Sequence, residues 1–72
     1  MNDNDAQGLD KIFPIHKGDN FRLGPYHFVC MGWQNGRIRA MRHEEHQGFF
    51  MHSLSPELVL SPGFKLLKPE AT

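Results

Sequence analysis

Apolar and polar positions alternate through short stretches between residues 17 and 67, and turn-forming residues break the pattern every few positions. A period of two predicts half-buried strands. Lys17-Gly18-Asp19-Asn20 reads as a turn cluster, and Phe21-Arg22-Leu23 as a short strand. Gly24-Pro25 follows as a tight turn, in which glycine supplies the positive φ and proline holds the next φ at about −65°. Tyr26 to Trp33 is the longest strand, ending at Gln34. Asn35-Gly36 is the strongest hairpin signal, because a type I′ turn needs positive φ at both central residues. Arg37 to His43 returns as the partner strand, and Glu44-Glu45-His46-Gln47-Gly48 is a polar loop.

Phe49 to His52 is a further strand, and Phe64 to Leu67 the last. Between them Ser55 is an N-cap, with Pro56 at the first helical position and Glu57 in the first turn. Ser61-Pro62-Gly63 stops that helix after about one turn. Ile12-Phe13-Pro14-Ile15 is apolar, and its proline confines it to an edge strand or a covering segment.

A two-residue loop at 35–36 sets Gln34 opposite Arg37 and Trp33 opposite Ile38. Uninterrupted pairing then places Met31 against Ala40 and Val29 against Arg42. One face collects Val29, Met31, Trp33, Ile38 and Ala40, the expected core. The other collects Phe28, Cys30, Gly32, Arg37, Arg39, Met41 and His43. Phe49 and Phe50 point to opposite faces, so one needs cover from the 54–60 segment or from a partner. That two-sidedness predicts self-association, with a homodimer as its simplest form.

A flat meander of this size leaves both edges open and one face unburied, and closure into a barrel solves both problems. The order of elements resembles the SH3-like small barrels, including Tudor and KOW-type modules, over roughly residues 17–67. Gly18-Asp19 before the first core strand, the hairpin around Asn35-Gly36 and the helical turn at 56–60 carry the resemblance. It implies a binding module, often for nucleic acid or protein tails, and transfers no individual binding residue. The expected fold is all-β: a small, partly open SH3-like barrel of about five short strands with one helical turn before the last. Residues 1–10 are expected to form a disordered acidic arm, 11–68 the barrel domain and 69–72 a tail. After the start methionine, the arm has one apolar residue larger than alanine, Leu9, too little to offset its ordering entropy.

The chain has 72 residues, eight basic and eight acidic, for a net charge of zero. All eight basic residues fall between Lys11 and Lys68 against four acids, Asp19, Glu44, Glu45 and Glu57, which leaves that segment four positive charges in excess. No long apolar run exists to span a membrane. The polar, acidic start shows no signal-peptide core. The single cysteine, Cys30, rules out an internal disulfide framework. A cytoplasmic protein is expected.

Arg37 and Arg39 alternate on one strand face, and Arg42 lies on the other near the strand's end, while Tyr26, His27 and Phe28 stand on the paired strand. Arginine beside aromatic side chains suits phosphates and stacked bases. It equally suits an acidic partner protein, since the same residue types anchor interfaces. His43, His46 and His52 are the residues from which a three-nitrogen metal site would be built, but His43-Glu44-Glu45-His46 is not a zinc-protease pattern and neither metal nor cofactor is expected. Cys30 sits mid-strand, where a buried, inert thiol is the default. No phosphate loop or nucleophile elbow is present, and the chain is not expected to be an enzyme. The expected function is a small intracellular binding or regulatory module, of the kind that bacteria, phages and mobile elements encode as stand-alone chains. Arg37, Arg39, Arg42, Tyr26 and Phe28 would engage an acidic protein surface. A nucleic-acid-binding barrel and a structural homo-oligomer are the alternatives.

Overall fold

The computed structural model describes residues 3–67. Its strands are β1 (Asn20–Leu23), β2 (Tyr26–Gln34), β3 (Arg37–Glu44), β4 (Gly48–Leu54) and β5 (Phe64–Leu67). They form one antiparallel sheet in the order β4-β3-β2-β1-β5. The all-β class, the five strands and the helical turn before the last are as the alternation predicts. The sheet does not close into a barrel, so β4 and β5 remain its edges.

The turns follow local chemistry. Asn35 (φ 54°) and Gly36 (φ 74°) both take the positive φ of a type I′ hairpin. At the β1–β2 turn Gly24 alone has positive φ (62°), while Pro25 is locked negative. Ser55 caps the 3-10 turn Pro56–Leu60, its hydroxyl accepting the Glu57 N–H at 3.4 Å.

One face of the sheet is the core. Phe21, Phe28, Cys30, Trp33, Ile38 and Ala40 are buried on it, joined by Ala6 and Ile15 from the preceding segment. Phe21 stacks on Phe28 at 5.3 Å between centroids and meets Phe64 at 5.5 Å. The segment at 12–15 serves as cover: Ile15 is buried, and its carbonyl accepts the Trp33 Nε1–H at 2.8 Å.

The composition of that face departs from the uninterrupted register. Trp33 does pair with Ile38 and Gln34 with Arg37, but Cys30 pairs with Ala40, Val29 with Met41 and Phe28 with Arg42. The register shifts between Cys30 and Gly32, so Met31 is an extra residue, a β-bulge. Since side chains alternate with a period of two, one inserted residue exchanges the faces of everything before it. Phe28 and Cys30 therefore enter the core, and Val29 and Met31 leave it. Gly32 takes φ 116°, and its N–H donates to Cys30 Sγ at 3.4 Å, so the buried thiol satisfies a group that the bulge frees from the ladder.

The acidic segment expected to be a disordered arm lies, over its described part, against the hairpin. Asp3–Ala6 and Leu9–Lys11 form 3-10 turns. Ala6 is fully buried, and the Asp5 carbonyl accepts the Gly36 N–H at 2.9 Å, which ties the segment to the hairpin tip. Small Ala6 fits where a larger apolar residue was thought necessary, and the Asn35-Gly36 turn supplies the backbone partner. The expected 69–72 tail lies outside the described residues. Ala6→Glu forces a charge into that contact and is expected to lower stability by about 1–3 kcal/mol, read as an earlier urea midpoint. An unchanged midpoint would mean that the segment is not docked.

Candidate binding surfaces

Pairing fixes which side chains share a surface. On the outer face, opposite the core, Lys65 pairs with Arg22, and Arg22 with His27. His27 lies across from His43, one position beyond the Phe28–Arg42 pair, and His43 pairs with Phe49. All five residues are exposed. A cross-strand row thus runs over the whole sheet: Lys65, Arg22, His27, His43, Phe49. His43 and Phe49 lie in ring contact at 4.6 Å. The next row contains Asn20, Val29, Met41 and Met51 and is mainly apolar. Beyond it stand Arg39 beside Ser53, then Arg37. Among the described strand residues no acid belongs to this face: Glu44, the one acid within them, has the opposite parity.

Arg37 and Arg39 are on this outer face, as expected. Arg37 is partly committed, its Nε donating to Ser53 Oγ at 2.8 Å and its Nη2 to the Ser53 carbonyl at 3.0 Å. Arg39 is half-buried, and its Nε is buried without a hydrogen-bond partner.

Arg42, Tyr26 and Phe28 are elsewhere, on the core face. Phe28 is buried in the aromatic stack and has no free surface to offer. Arg42 and Tyr26 do meet at the rim. The Arg42 guanidinium carbon lies 4.9 Å from the Tyr26 ring centroid and 5.3 Å from that of Phe50. The same guanidinium pairs with the Glu44 carboxylate and donates to His52 Nε2 at 3.4 Å. With two rings, a carboxylate and an imidazole around it, Arg42 closes the open end of the core. Alternation along β3 itself puts Arg42 on the side of Ile38 and Ala40, and the bulge brings Tyr26 and Phe28 round to that side, so the expected basic-aromatic hairpin face is divided between the two faces of the sheet.

The split opposes the weak metal candidates as well. His43 is on the outer face, His52 on the core face and His46 in the turn between their strands. Among the described residues, no group of three or more His, Cys, Asp or Glu side chains could hold a metal ion. No pocket is found among the described residues, and none of their helices is long and apolar enough to cross a membrane.

Arg22, His27 and Lys65 were missed from the sequence because their neighbourhood depends on β1–β5 pairing, a contact between residues more than forty positions apart. The usable signal was the alternation Phe21-Arg22-Leu23 and Phe64-Lys65-Leu66, each with a base between two core residues. No protein-family model matches the chain, and no curated protein and no solved structure matches it.

Proposed function

We propose that this chain is a small non-enzymatic binding and regulatory module that engages an acidic protein surface through the outer face of its sheet. The observation that carries this reading is a sheet face with Arg22, Lys65, Arg37, Arg39, His27 and His43 and no acid among its strand residues. Val29, Met41 and Met51 give that face an apolar strip bordered by cations. An apolar centre with a charged rim is the anatomy of a protein interface, whereas a phosphate backbone makes no use of methionines.

The test is fluorescence anisotropy with short peptides rich in Asp and Glu that carry one aromatic residue, set against single-stranded and duplex oligonucleotides. The double charge reversal Arg22→Glu, Lys65→Glu changes two exposed side chains. It is expected to weaken peptide binding about tenfold or more, with the unfolding temperature little changed. Peptide affinity that ignores the reversal refutes the assignment. Tighter binding to oligonucleotides refutes the protein partner instead, if its salt slope falls by about one for each cation removed.

A further inference from the structure

We propose that a second copy of this chain adds to the β4 edge, antiparallel, about a two-fold axis at Phe50. Strand β4 is an unpartnered edge, and among the described residues its first half is left exposed. Phe49 on the outer face is 64% exposed, Met51 beside it 44%, and Phe50 on the core face 36%. Apolar side chains are thus bare on both sides of one strand. The edge is not blunted there by lysine, proline or an inward charge, the devices by which sheets avoid such pairing.

Backbone geometry selects the register. Gln34 and Arg37 flank a two-residue hairpin loop and so form a hydrogen-bonded pair. Alternation along β3 then turns the backbone groups of residues 38, 40, 42 and 44 towards β4. Their partners, Leu54, His52, Phe50 and Gly48, point inward. Phe49, Met51 and Ser53 are left with their N–H and C=O groups at the free edge. The Ser53 carbonyl is already taken by Arg37 Nη2. Phe49 and Met51 remain, and an antiparallel copy that pairs Phe49 with Met51, and Met51 with Phe49, uses the free groups of both.

The side chains agree with that register. Phe50 faces its own copy across the axis, and each Phe49 lies against the other copy's Met51, a favourable sulfur–aromatic contact. Charge agrees too. Arg37 lies at the Leu54 end of β4, held on Ser53, while Glu45 lies in the turn at the Gly48 end, and both are exposed. Antiparallel pairing centred on Phe50 brings each Glu45 to the other copy's Arg37, twice by symmetry, and a net charge of zero adds no overall repulsion. The two outer faces then become one continuous surface. This inference does not rest on the acidic-partner reading, because it concerns the edge and is scored by mass rather than by peptide binding.

Sedimentation velocity over a range of concentrations tests it. The native chain is expected to show a monomer–dimer equilibrium in the micromolar range. Phe49→Lys, at an exposed edge position, should weaken it by about 100-fold while the unfolding temperature holds. Glu45→Arg and Arg37→Glu should each weaken it by about tenfold, because each places like charges together at two contacts. A mixture of the two single variants has opposite charges at both contacts, and should form heterodimers more tightly than either variant self-associates. A native chain that stays monomeric throughout, or a mixture no tighter than its components, overturns the proposal.

Discussion

Trp33→Ala is expected to leave the chain without a stable fold. Trp33 is fully buried, the largest side chain to be so, and it sits where β2, β3 and the covering segment at Ile15 meet. Truncating a buried tryptophan costs about 3–5 kcal/mol through lost transfer energy and the cavity left behind. The change also strands the Ile15 carbonyl, which now accepts the indole N–H at 2.8 Å. A domain of 72 residues has little reserve against such a loss. Trp33→Phe separates the two contributions: most of the volume remains, and a cost of about 1–3 kcal/mol is expected, mainly from the orphaned carbonyl. Both variants lack the single tryptophan, so unfolding is followed by far-ultraviolet circular dichroism rather than by emission. If Trp33→Ala unfolds within a few degrees of the native chain, the core described above is wrong.

What the sequence revealed and what it hid divide along one line: local chemistry against non-local choice. Asn35-Gly36 announced its hairpin because few residue pairs accept positive φ at two consecutive positions, and the same pair fixed Trp33 against Ile38. Ser55-Pro56 announced the 3-10 turn, because capping and ring geometry act within a few residues. The middle of β2 carries apolar residues of either parity: Phe28 and Cys30 on one count, Val29 and Met31 on the other. Alternation alone gives two cores of similar quality, and tertiary packing decides between them. Phe21 and Phe64, from β1 and β5, stack onto the Phe28 side. The candidate site inherited this ambiguity: Arg37 and Arg39 were placed on the right face and Arg42 on the opposite one, whereas Tyr26 and Phe28 changed sides with the bulge.

Gly32 is where that choice is enforced, and replacing it is expected to be nearly as damaging as losing Trp33. Its φ of 116° is open to glycine and strained for any L side chain, at a cost of roughly 1–3 kcal/mol. A valine there, stiff at χ1 and buried, should exceed alanine in effect. Relief by removing the bulge is closed off. Straightening β2 returns Phe28 and Cys30 to the outer face, breaks the Phe21–Phe28 stack and drives Val29 and Met31 inward. Gly32→Val should therefore do two things together. The urea midpoint should fall by an amount equivalent to about 2–4 kcal/mol, and the Cys30 thiol, now fully buried, should react with a maleimide reagent under conditions where the native thiol is protected. Gly24→Ala is the matching control. Its φ is also positive (62°), but it sits in an exposed turn where an added Cβ meets nothing within 4 Å. It should cost about 1 kcal/mol and leave the thiol protected. If Gly32→Val keeps both the native midpoint and the native thiol protection, the bulge does not decide which face of β2 is buried. The place of Tyr26 and Phe28 on the same face as Arg42 would then need another cause.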